Sequence, residues 1–333
     1  MSKKDLLEKI IRHVKMGFQG FKEYPSNYKE FGLSVANVKL RRSWNLIKSH
    51  TYIESMTSYV ENEINEVLKQ YSKNIPEIEI KQIDEKESIP IWISWFQGEE
   101  LAPELCKACI NNIRSIIPEG TKVIFLTKDN YLNYIDIPQN VLKKFLDGKI
   151  GMTNFTDIMR YYLLSTYGGA WIDSAIFLTN DIINKAFKYD LYTPKFCDEK
   201  YILEDASRGL WVGGCLFSKE PSLLFKYVYD CLIWFWSNHD KAIEYLVCDY
   251  FLFSAYKNLD FAKKIIDSVP INSTNKRLFN SKLNERYSDE LWMELTNASD
   301  IHLINRHIEY QKFTSDGELT IYGHLLNING VDV

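Results

Sequence analysis

The chain has no run of 18 apolar residues; the closest, CLIWFW at 231–236, is far too short to cross a bilayer. It has no internal repeat and no low-complexity segment, which excludes solenoid, propeller and collagen-like architectures. Basic charge is not in excess: 40 Lys and Arg stand against 44 Asp and Glu, a net charge of −4, which argues against a nucleic-acid binder. The opening stretch, MSKKDLLEKIIRHVKMGF, is charged throughout and lacks the continuous apolar core of a secretory signal. Cysteine is scarce, with 6 residues scattered over 333. Cys106 and Cys109 form a CxxC inside the helix-spaced segment APELCKACINNIRSII, but no second CxxC follows, so a structural zinc site lacks its other ligands. Small core residues on a helix are the expectation for this pair. Free, unpatterned cysteines fit a reducing cytoplasm.

What is abundant is aromatic. Tyr, Phe and Trp make up 14% of the chain, a supply suited to cores and equally to stacking against bases and sugar rings. Hydrophobic residues at 46% and charged residues at 25% are ordinary for a globular protein, and the length allows one large domain or two modest ones.

Residues 1–75 read as a helical N-terminal extension. Its first helix places Leu6, Leu7, Ile10, Ile11 and Val14 on one face and Lys3, Lys4, Lys9, Arg12 and Lys15 mostly elsewhere. That pattern suits a membrane-surface helix through residues 1–18, or a helix packed on its own domain. After the polar stretch 74–88, residues 76–333 form the second unit. IPIWISWF (89–96), APELCKACINNIRSII (102–117) and TKVIFLT (121–127) predict a strand, a helix and a strand, the signature of a βαβ unit and a parallel sheet. NFTDIMRYYLLSTY (154–167) predicts a helix capped by Asn154 and stopped by Gly168-Gly169, and the run to Phe177 predicts the next strand. Two further helical segments follow at 222–238 and after His239. The class is α/β with a mostly parallel sheet flanked by helices.

One residue in YGGAWIDSAIF is out of place. Asp173 is a lone carboxylate in an apolar strand-like run, and burying it unpaired costs several kcal/mol. It needs a cation, a hydrogen-bond cluster or the open end of the strand, where ligands gather in open α/β sheets. On the preceding helix Asp157, Arg160, Tyr161 and Leu164 share one face, so a carboxylate and a guanidinium stand together. Such a pair holds a polyhydroxylated ligand, one accepting and one donating hydrogen bonds. The spacing alone equally allows a capping Asp157 and a solvated surface ion pair.

TDIMRYYLLSTYGGAWIDSAIF resembles the helix–GG–strand segment of nucleotide-sugar glycosyltransferases, S/T-D-x-x-R-x-x-x-L-x-x-x-G-G-x-x-x-D-x-D. IWISWFQGEELAP (91–103) and GGAWIDSAIF (168–177) are similar to the paired motifs of bacterial capsular polysaccharide synthesis proteins. These are related to family 32 glycosyltransferases, which include a yeast mannosyltransferase, and to the clostridial glucosylating toxins. The resemblance is firm over 89–180, loose over 205–255 and absent over the first 75 residues. It implies a GT-A type fold, a hexose moved from a nucleotide sugar (a UDP-sugar first) to a capsular or lipid-linked glycan acceptor, retention of configuration, and a divalent cation, Mn²⁺ or Mg²⁺. By the same resemblance Trp95 stacks on the base, Asp157 and Arg160 contact the sugar hydroxyls, and Asp173 binds metal and diphosphate. Gln97, Tyr161 and Ser174 complete the donor site. The second carboxylate of the D-x-D motif is Ala175 here, so another metal ligand is expected from the C-terminal part: His302, His324, Asn327 or Asn329, with His324 taken first. An inverting route would need a carboxylate base facing the acceptor, and Asp249 in CDYFLF is the candidate. The rival readings are a nucleotide-sugar hydrolase or phosphotransferase on the same residues, and a non-catalytic binding protein that has lost its metal site.

Overall fold

The computed structural model describes residues 3–84, 86–196, 199–273 and 277–333, apart from the side chains at 3–6, 8, 9 and 199–201. In chain order the elements are α1 (Lys3–Ser43, kinked at Gly32), α2 (Ser49–Glu63), α3 (Asn65–Lys73), β1 (Ile89–Ser94), α4 (Glu104–Ile116), β2 (Thr121–Leu126), α5 (Gln139–Leu146), α6 (Met152–Thr166), β3 (Gly169–Ile172) and β4 (Ile176–Leu178). Then come α7 (Ile182–Ala186), α8 (Glu199–Glu204), β5 (Cys215–Ser218), α9 (Leu223–Asn238), α10 (Val247–Asn258) and α11 (Asp260–Ser268). The chain closes with α12 (Leu278–Lys282), α13 (Asp289–Ala298), β6 (Ile301–Leu303) and α14 (Ile321–Ile328).

The main sheet has the order β2-β1-β3-β5. β1 runs parallel to both β2 and β3, and β5 runs antiparallel to β3. The βαβ reading of 89–127 is therefore observed. A central parallel strand is covered on both faces, which is why Pro90–Ile93 is an unbroken buried run. Alternate side chains then go to opposite layers. Trp92, Trp171 and Leu216 enter the core shared with α6 and α9, whereas Ile91, Ile93, Ala170 and Ile172 meet Ile110 and Ile113 of α4. The other side of α4 holds the C-terminal part, through Leu105 and Cys109 against Ile321, Leu325 and Leu326. Cys106 and Cys109 are buried and free, as core residues of α4. α2 and α3 add Tyr52, Ile53, Met56, Val60, Val67 and Tyr71 to the same core as α9 and α10.

The glycine pair has a tighter role than stopping a helix. Gly169 has φ +90°, and a Cβ there would lie 2.0 Å from the Pro90 carbonyl oxygen, so only glycine lets β3 start against β1.

Two local expectations change. AWIDSAIF is not one strand: β3 ends at Ile172, the Ile176 N–H donates to the Asp173 carbonyl (3.0 Å), and β4 turns away to pair with β6 in a separate two-stranded sheet. Apolar residues on both sides of the turn hide it from the sequence. Residues 173 and 175 therefore do not share a strand face. Asn154 is not the cap of α6, which begins at Met152 with Gly151 before it; the Asn154 amide donates instead to the Tyr245 carbonyl (3.2 Å).

The first helix leaves its apolar stripe outside. Leu7, Ile10, Ile11, Val14, Phe18 and Phe21 are all exposed on α1, and the side chains of Lys3, Lys4, Leu6 and Lys9 lie outside the described ones. The helix is tied to the following turn by Trp44, which meets His13, Phe18 and Phe21 edge-on or tilted, and by a His13–Asn45 hydrogen bond of 2.7 Å. Among the described residues no helix is long and apolar enough to span a membrane.

Candidate functional site

Beyond the carboxyl ends of β1 and β3 opens a cleft of about 470 Å³. Ser94, Trp95, Phe96 and Gln97 leave β1 along one wall, and Asp173, Ser174 and Ala175 leave β3 on another. Met152, Thr153 and Thr156 of α6 and Tyr245 form a third side, and Asn305, Arg306 and His307 complete it.

The floor is a charge array. Arg160 on α6 donates from Nη1 to Asp157 Oδ1 and from Nη2 to Asp173 Oδ1 (3.2 Å), and its guanidinium lies 5.1 Å from the centre of the Trp171 ring. Trp171 Nε1 donates to the same Asp173 Oδ1 (2.7 Å). Asp157 and Arg160 are buried, while the Asp173 side chain is 47% exposed and opens to the cleft. Burial pushes the Asp157 carboxyl up to about 6 in spite of Arg160 beside it. Burial opposes the charge on Arg160, but Asp173 and Asp157 outweigh it and hold the guanidinium above its ordinary value. A buried i,i+3 pair excludes the solvated surface pair that the spacing allowed, and Asp157 is no cap.

Asp173 is set by its neighbours. Its N–H donates to the Gly214 carbonyl (2.8 Å), and a Cβ on Gly214 would come 2.4 Å from Asp173 Oδ2. A glycine at 214 thus leaves that oxygen its room. Two donors in the site keep their capacity: Trp95 Nε1 and Arg160 Nε are buried without a partner among the described residues.

A model of the capsular polysaccharide synthesis protein family matches residues 43–325. The chain belongs to this family. Its role therefore lies in capsule biosynthesis. No curated protein matches the chain. The family match takes in α2 and α3, where the sequence motifs showed no likeness, in keeping with the core those helices share with α9 and α10.

The cleft brings together Trp95, Gln97, Arg160, Asp173 and Ser174, with Asp157 directly behind Arg160. Six other expected residues stand outside the cleft lining. Tyr161 is wholly buried, its ring 5.7 Å from that of Phe225, because position i+4 on α6 faces α9. Asp249 is buried on α10, accepts from Trp211 Nε1 (2.8 Å), and is not among the residues that line the cleft. Burial raises its carboxyl to about 7, partly offset by the Trp211 bond. His324 stacks on Tyr287 at 3.8 Å and meets Trp292, outside the cleft lining; His302 is buried against Phe177 and Phe279. Asn327 and Asn329 also lie outside it, at the end of α14. Asn305, Arg306, His307 and Tyr245 take the places the sequence reading missed. They sit in irregular segments with no periodicity to mark them.

The donor set limits what a cation finds here. Asp173 Oδ1 is engaged, position 175 is alanine, and among the described residues no group of three or more His, Cys, Asp or Glu side chains is placed to hold a metal. Among the described lining residues the cleft therefore offers one free carboxylate oxygen, Asp173 Oδ2. That suits a cation whose remaining ligands are phosphate oxygens and water, and not a metal held by protein alone.

Proposed function

We propose that the protein is a retaining glycosyltransferase that moves a hexose from a nucleotide sugar, with a UDP-sugar first among donors, to a growing capsular or lipid-linked glycan. The observation that carries this reading is the Asp157–Arg160–Asp173 array opening into a polar cleft at the carboxyl ends of β1 and β3, with the Trp95 ring on its wall. Asp157 fixes Arg160 from behind, and Arg160 fixes Asp173. The array costs no reorganisation when a sugar binds, which is what stabilising an oxocarbenium-like state requires. Donor hydroxyls meet Arg160 and Asp173, and the base lies on Trp95. A divalent cation arriving with the diphosphate would be held by Asp173 Oδ2 and would neutralise the leaving group.

Retention is supported by what lines the cleft. Asp173 is the one carboxylate among the described lining residues, and it is already bonded to Arg160 and Trp171. An inverting route needs a second carboxylate aimed at the acceptor. The exposed stripe of α1 supports contact with the membrane surface that carries a lipid-linked acceptor.

The decisive measurement is release of nucleoside diphosphate across a panel of nucleotide sugars, with and without Mn²⁺. Asp173→Asn is expected to lower turnover by about 10²- to 10³-fold, as loss of one preorganised electrostatic contact does elsewhere. No release from any donor, or an unimpaired Asp173→Asn protein, sinks the proposal. Free sugar as the product in the presence of glycan acceptor would make the protein a hydrolase.

A further inference from the structure

Among the described lining residues, one Lys or Arg side chain stands outside the charge array. Arg306 follows β6, its guanidinium 5.2 Å from the centre of the Trp95 ring. Arg160 is committed to two carboxylates, but Arg306 is exposed and forms no salt bridge among the described residues. The chain on either side of Arg306 is held by hydrogen bonds. The Ile304 N–H donates to the Ala175 carbonyl (3.0 Å), the Asn305 N–H to Asn280 Oδ1 (3.1 Å), and the Ile308 N–H to the Asn305 carbonyl (3.1 Å). The segment that carries Arg306 is thus bonded to the very position where a second carboxylate is missing.

Those two facts belong together. With one free oxygen at Asp173, the cleft has little on the chain to anchor a phosphate-borne cation, and a nucleoside diphosphate brings several negative charges. A planar guanidinium matches phosphate oxygens through two parallel hydrogen bonds. Stacked on Trp95, it is held near the ring that the base would take, and a base settling there displaces it toward the phosphates.

We propose that Arg306 is the diphosphate-binding cation of this cleft, parked on Trp95 until a nucleotide enters. The inference rests on the nucleotide-sugar reading above. In the transfer step the bond from the anomeric carbon to the β-phosphate oxygen breaks with its electron pair left on that oxygen, the acceptor hydroxyl oxygen bonds the anomeric carbon, and the hydroxyl proton passes to the departing diphosphate. Arg306 balances the charge there and exchanges no proton.

Calorimetry on the full chain with inorganic pyrophosphate, UDP and uridine, each with Mg²⁺, tests this. Arg306→Gln should weaken pyrophosphate and UDP by about 10- to 100-fold and leave uridine within about twofold. Arg306→Lys, which keeps the charge without the fork, should fall between. Since the side chain is exposed, neither change threatens the fold. Unchanged pyrophosphate and UDP affinity in Arg306→Gln overturns the proposal, as does a wild-type protein that binds no pyrophosphate. An equal loss for uridine overturns it too, because Arg306 would then act on the base. Arg306-dependent pyrophosphate binding in a protein that consumes no nucleotide sugar would keep the anion site and remove the transferase reading.

Discussion

In α6 the charges are inside: Asp157 is 1% exposed and Arg160 is 6%. In α1 the apolar residues are outside, from Leu7 at 58% exposure to Phe18 at 64%. Read as sequence, each helix has a regular pattern, and the pattern alone allowed a solvated pair in the first and a packed stripe in the second. Spacing fixes which side chains share a face. What covers that face is decided by chain far away. Asp173, after β3, closes over the α6 charges and bonds Arg160. The outward stripe of α1 stays exposed, with the Trp44 ring against its Phe18–Phe21 end.

The contrast can be broken in three ways. The largest effect belongs to the buried pair. Arg160→Met strands Asp157 and should cost about 3–5 kcal/mol of stability in urea unfolding. A loss below about 1 kcal/mol would mean that the pair is solvated after all.

Asp249 comes next, through pH. Its carboxyl lies near 3.8 when unfolded and about 7 when folded, so between those values the folded state holds the extra proton. The contribution of Asp249 to stability is therefore greatest below about pH 4 and is lost as pH rises through 7, by something on the order of 4 kcal/mol. Asp249→Asn should remove most of that fall in unfolding curves taken at pH 4, 6 and 8. A residual slope would remain from Asp157, which burial raises to about 6. An unchanged slope would place Asp249 in contact with water.

The smallest effect on folding is expected at the stripe. Leu7→Ser with Ile11→Ser should leave stability within about 0.5 kcal/mol, because both side chains are already exposed. Recovery of the protein with phosphatidylglycerol vesicles in flotation should drop. Equal recovery would detach α1 from any role at a lipid surface.

The parts that the sequence made legible are those with a period or a chemical anomaly. The apolar run of β1, the helix spacing of α4 and the strand of β2 were readable because each has its own repeat. Asp173 was readable as an anomaly, a carboxylate in an apolar run, and it sits at a strand end as such a residue must. The end of β3 at Ile172 was invisible, since Ala175 to Phe177 continue the apolar character past the turn. Asp249 and His324 look alike as polar residues among apolar neighbours, and only packing shows that neither reaches the cleft. Tyr245 and Arg306 carried no signal, because loop segments that line a cleft are placed by contacts distant in the chain.

One such contact spans most of the molecule. Lys39 on α1 bonds Glu244 (3.0 Å) and the Ile243 carbonyl, and Tyr52 on α2 donates to Glu244 as well. The next residue, Tyr245, is part of the cleft wall. A shortened version of the protein that begins at the sheet would keep every residue of the charge array and still lose the brace behind one side of its mouth.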